Sequence, residues 1–97
     1  MKNQKLRILD HDIMLLFDDP GVWSENGMGR ASIMSGEVRV KSDMTDDFRR
    51  STLIHEVIHI IAEMQGIELD ERSVDGIAMG MHSFLRNNKR LIGSMIA

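Results

Sequence analysis

The stretch His55-Glu56-Val57-Ile58-His59 combines residue types and a spacing that can do chemistry. Two histidines four positions apart lie on one face of a helix, about one turn from each other. Two imidazole nitrogens so placed can bind one tetrahedral zinc ion. Glu56 follows His55 by about 100° round the same helix. That is too far round for a third ligand, yet close enough to reach a water activated at the metal. Two ligands with a general base beside them form the mechanical core of a zinc hydrolase. The setting sharpens the reading, because every other position from 53 to 62 is apolar. Two imidazoles and a carboxylate are costly to bury in such a helix unless something satisfies them, and a metal ion does so. The competing reading is a buried helix whose polar residues find ordinary hydrogen-bond partners.

A catalytic zinc takes three protein ligands and keeps one position open. His55 and His59 exhaust the first helix, so the third ligand must come from elsewhere. A second helix, capped by Asp70, is predicted to run to Asn88. On it Glu71, Asp75 and His82 share one edge, roughly 60°, 100° and 80° round from Val74. The first helix climbs about 10 Å from His59 to Gly66, and a helix running back regains that level after about five to seven residues. This reckoning places Asp75 ahead of Glu71, although the longer glutamate side chain compensates in part. For either acid the ordinary alternative is a solvated surface carboxylate. Glu63, one turn beyond His59, is either a partner for the second imidazole nitrogen or a surface acid. His82 is a candidate donor to a developing oxyanion, with a plain surface histidine as its alternative. His11 sits in a predicted turn and is expected to be exposed.

Several elements must position these groups. Residues 6–9 and 12–17 read as strands, or as one strand pair broken at Asp10-His11. Asp18-Asp19-Pro20-Gly21 is a turn signal. Residues 22–29 read as a loop whose Trp23 closes one end of the core or lines a cleft. Residues 31–34 and 37–41 flank Ser35-Gly36 as a hairpin, with Val38 and Val40 facing inward. The first helix is predicted over 45–65, capped by Asp43 or Thr45 and stopped at Gly66. Its core face is expected to be Ile54, Val57, Ile58 and Ile61. The second helix carries the stripe Val74, Ile77, Ala78, Met81 and Leu85. The tail 91–97 is apolar enough to dock and offers no chemistry.

Composition sets outer bounds. The 97 residues are expected to form one domain, 1–97, with a single modest core. The absence of cysteine excludes disulfides, cysteine zinc sites and thiol nucleophiles. No signal-peptide pattern follows Met1-Lys2-Asn3, and the apolar run 13–17 is too short to span a membrane. A soluble cytoplasmic protein without membrane association is therefore expected. The net charge is −3 with interspersed signs, so no nucleic-acid-binding face is expected. Arg86, Lys89 and Arg90 read as a solvated basic helix end.

The chain resembles the zincin-like metallopeptidases. T-L-I-H-E-V-I-H-I-I followed by L-D-E-R-S-V-D-G-I-A-M-G-M carries the likeness, which extends loosely from the strands to Asn88. It is strongest to the very small members found in phage and prophage genomes. In outline it is similar to minigluzincins, and more distantly to the ImmA/IrrE and SprT-like groups. The resemblance implies a small α+β domain with three to four short antiparallel strands and two antiparallel helices carrying the zinc site. It also implies an acidic ligand from the second helix, usually glutamate; an aspartate at position 75 would depart from that pattern. The implied activity is hydrolysis of a peptide or protein substrate, with Glu56 as base. A second hypothesis keeps the fold and a structural zinc but makes the chain a non-catalytic protein-binding module, an accessory or regulatory protein of a phage.

Overall fold

The computed structural model describes residues 2–18 and 29–97. The predicted turn at Asp19-Pro20-Gly21 and the loop carrying Trp23 lie outside the described residues.

β1 (Gln4–Ile8) and β2 (His11–Asp18) form a hairpin. Its two turn residues, Leu9 and Asp10, both have positive φ, 47° and 64°. Turns of that hand match the twist of the strands they join. β3 (Gly29–Ser32) and β4 (Glu37–Lys41) form the second hairpin. Gly36 closes it at φ 66°, its N–H donating to the Ile33 carbonyl at 3.1 Å.

The four strands make one sheet in the order β1-β2-β4-β3. Both hairpins are antiparallel, but β2 and β4 run parallel, Met14 pairing with Glu37 and Asp18 with Lys41. The sheet is therefore mixed, not antiparallel as expected. The reason is geometric. β3 takes the far edge and leaves a gap one strand wide. The chain reverses into β3 and again into β4, so β4 fills that gap in the direction of β2.

Alternation then decides what is buried. Ile13, Leu15, Val38 and Val40 point to one face and, with Ile60, form the core. Glu37, Arg39 and Lys41 point to the other. There Arg39 donates to Asp18 at 2.8 Å and to Glu37 at 3.0 Å, tying β2 to β4.

α1 (Asp46–Met64) crosses the inner face against β3 and β4. Thr45 caps it by accepting from the Phe48 N–H, and Asp46 and Asp47 complement the positive end. Past Gln65 the chain passes through Gly66 at φ 67°, and the Ile67 N–H returns to the Ala62 carbonyl at 2.8 Å. This closure turns the chain sharply back on the helix. α2 (Glu71–Asn87) packs on α1, capped by Asp70, which accepts from the Ser73 N–H at 2.7 Å. A third helix, α3 (Lys89–Met95), follows a break at Asn88. The expected docked tail is thus a short helix, and its Met95 and Ile96 are exposed.

The core face predicted for α1 also needs correction. Ile60 and Ala62 are its buried apolar residues, while Ile54, Val57, Ile58 and Ile61 are only half-buried. The helix is apolar nearly all round from 53 to 62, and among the described residues its main neighbours are the sheet and α2. On α2, Val74 and Ala78 are buried, whereas Ile77 and Met81 are exposed. Among the described residues no helix is long and apolar enough to cross a membrane.

Candidate metal centre

The 100° step between successive helix residues divides the motif between the two neighbours of α1. Glu56 turns toward the sheet and is buried at 6 % exposure, the one buried charged residue among those described. His55 and His59 turn toward α2 and are half-buried. Their Nε2 atoms are 3.2 Å apart and their rings meet edge to face.

Glu71 completes the group. Its Oε1 lies 2.6 Å from His59 Nε2 and its Oε2 lies 3.2 Å from His55 Nε2. His55, His59 and Glu71 thus offer ligand atoms that all lie within 4.8 Å of one another. Asp75 stands outside that group, one helical turn further on, with Oδ1 2.9 Å from His55 Nδ1. An Nδ1–H donated to Asp75 fixes the tautomer and leaves the Nε2 lone pair facing Glu71.

The order expected for the two acids is therefore reversed in the geometry, by one helical turn. The reason lies in the link. Residues 67–70 carry no helix. An extended residue covers up to ~3.3 Å, about twice the 1.5 Å rise of a helical one. Four such residues bring the chain back to the level of His59 before α2 begins. The first helical residue, Glu71, then meets His59, and Asp75 meets His55.

The other candidates stand elsewhere. His82 shares a groove with Arg50, Leu53, Ile54, Leu85, Arg86 and Lys89, and its Nε2 is 3.5 Å from Asp47 Oδ1. It does not line the cleft around Glu56, so it is not brought to the position of an oxyanion donor. Asp47 also receives Arg86 at 3.3 Å. Glu63 is exposed on the cleft rim. His11 is exposed in the first hairpin, its Nδ1 2.9 Å from the Leu9 carbonyl.

Glu56 lines the cleft on both sides. Arg30, Ala31, His59 and Glu71 border one side. Phe48, Thr52, His55 and Asp75 border the other, a space of about 500 Å³. Burial pushes the Glu56 carboxyl above its ordinary value; His55 and His59 pull it down, and Glu71 adds to the rise.

Arg30 and Ala31 carry no chemical signal in the sequence, and nothing there marks them as cleft residues. Asp75 as the partner of a histidine had a usable signal. Glu71 and Asp75 repeat on α2 the four-residue spacing of the two histidines, so two antiparallel helices can match them pair to pair.

Fold and site together define a small α+β protein: among the described residues, a four-stranded mixed sheet, three helices and a His-His-Glu group able to hold a metal ion. Compared with protein-family models, curated proteins and solved structures, the chain gives no significant match.

Proposed function

We propose that the chain is a zinc-dependent peptidase of the small zincin-like, phage or prophage kind that its sequence resembles. The observation that carries this reading is the convergence of His55 Nε2, His59 Nε2 and the Glu71 carboxylate in a cleft that Glu56 also lines. Two imidazole nitrogens and one carboxylate oxygen make the three-ligand set of a catalytic zinc with an open position. Donors at zinc-ligand distances from one tetrahedral centre lie about 3.3 Å apart. The His55–His59 and His55–Glu71 separations, both 3.2 Å, match that spacing, while His59–Glu71 at 2.6 Å is shorter and would widen on binding.

Zinc supplies Lewis-acid activation of water and of the scissile carbonyl when bound. The chain's own residues do the rest. Asp75 holds the His55 ring in place through Nδ1. Glu56 takes a proton from the attacking water at a carboxylate oxygen and delivers it to the leaving amine nitrogen. β3 stands at the edge of the sheet beside the cleft, and this reading has an extended peptide substrate pair with that edge.

The test is cleavage of a broad peptide library, scored by mass spectrometry, with wild type and Glu56→Gln compared at equal zinc content. We expect zinc-dependent cleavage by the wild type and a loss of roughly 100-fold or more in Glu56→Gln, the scale of general-base loss. If nothing is cleaved, and a protein partner binds wild type and Glu56→Gln equally, the peptidase reading fails. The chain is then a zinc-holding binding module.

A further inference from the structure

We propose that Gly29 is a positioning residue for Glu56. The missing side chain at position 29 lets edge strand β3 close onto α1 and hold the Glu56 carboxylate beside His55, His59 and Glu71. The functional consequence rests on the peptidase reading; the structural claim does not.

Glu56 is buried, yet no hydrogen bond among the described residues holds its carboxylate. Packing must orient it. Across the strand–helix contact it faces Gly29, the first residue of β3, paired with Val40 of β4. A Cβ at position 29 would lie 2.7 Å from Thr52 Cγ2, 2.9 Å from Glu56 Cγ and 3.0 Å from Glu56 Oε2. Carbon atoms in contact sit at about 3.5–4.0 Å, so any side chain here forces something to move. Position 29 therefore requires glycine for room.

Chain stiffness decides which neighbour gives. Thr52 is β-branched and in the middle of α1, where its χ1 is restricted. β3 is held along its length by pairing with β4. Glu56 is unbranched, with three rotatable bonds, and two of the three close atoms belong to it. Rotation of the Glu56 side chain out of its place is the least costly relief of the two Glu56 contacts, while the contact with Thr52 Cγ2 is relieved by a small local shift or by removing that atom. None of the three nearest atoms belongs to His55, His59 or Glu71. Gly29→Ala should thus separate the base from the ligands, leaving the metal group intact.

The experiment is Gly29→Ala in the full chain, with Gly29→Ala/Thr52→Ser beside it. The serine removes Cγ2, the closest and stiffest of the three atoms, so the double variant folds even if the single one does not, and both Glu56 contacts remain. Three readouts are taken: zinc stoichiometry, the crystal structure around residue 56, and kcat and KM on any peptide that the wild type cleaves. We expect full zinc content, a changed Glu56 side-chain rotamer with β3 still paired to β4, and kcat lowered roughly 10- to 100-fold with KM little changed, part of the general-base contribution. Glu56 unmoved in the variant overturns the proposal. So does β3 lifting from β4 while Glu56 keeps its place, which would make Gly29 a packing residue of the strand. If the wild type cleaves nothing, the peptidase reading fails, but the rotamer of Glu56 still decides the role of Gly29.

Discussion

Replacing Asp75 by alanine and by asparagine separates a ligand from a residue that orients one. Asp75 Oδ1 is 2.9 Å from His55 Nδ1, on the side of the ring away from Nε2. If it orients the ring, what matters is an acceptor for the Nδ1–H. Asparagine keeps a carbonyl oxygen there and alanine keeps nothing. Loss of such an outer partner lowers metal affinity about 10- to 100-fold, or about 1.4–2.8 kcal/mol. Asp75→Ala should show that loss and Asp75→Asn well under half of it on the free-energy scale. Glu71→Ala removes a carboxylate whose two oxygens face both Nε2 atoms, and it should lose more than 100-fold. Competition for zinc against a chromophoric chelator, at fixed pH, reads all three. Should Asp75→Asn lose as much as Asp75→Ala, and Glu71→Ala less than either, Asp75 is the ligand and the assignment of the two acids is refuted.

Two further outcomes follow from burial. Burial raises the Glu56 carboxyl above its ordinary value of 4.5 in the folded chain. Between the two values the folded state binds more protons than the unfolded one, so stability falls as pH rises through that window. Melting temperatures of the metal-free protein should fall across it, and Glu56→Gln should flatten that fall; equal slopes in both proteins would show that Glu56 is not the group responsible. In the core, Ile60→Ala should cost about 2–5 kcal/mol in a urea titration, since Ile60 is fully buried. Ile61→Ala, on the half-buried side of α1, should cost clearly less, and equal costs would contradict the packing described here.

Much of the local structure was legible because its causes are local. Thr45 and Gly66 mark the ends of α1, Asp70 the start of α2, and Gly36 the second hairpin, each through a hydrogen bond or a dihedral angle set by neighbours in sequence. The two histidines and Glu56 were legible for the same reason, since helical repeat alone fixes their mutual angles. What was not legible depends on distance covered by chain of unspecified conformation. The link 67–70 could be read as short but not as extended, and that difference moves α2 by a full turn and exchanges the positions of Glu71 and Asp75. The parallel pairing of β2 with β4 escaped for a like reason. It depends on where β3 lies relative to β2, which neither hairpin signals on its own.

The position of Glu56 follows from the same repeat, taken one step further. Glu56 lies about 100° round the helix from His55 and about 60° from His59, so while the histidines face α2 the base is turned toward the sheet. His55 and His59 thus need a partner helix carrying an acid, while Glu56 needs a sheet edge that can approach it closely, and Gly29 at the start of β3 allows that approach. The apolar remainder of α1 is filled from the same two sides, Ile60 against the sheet and Ala62 nearer α2. By the helical repeat Ile54, Val57, Ile58 and Ile61 fall on the side of α1 away from Glu56 and the histidines, and the residues that read most strongly as core are only half-covered. Apolar character located the helix in the interior, but the motif's angles decided which side of it would be buried.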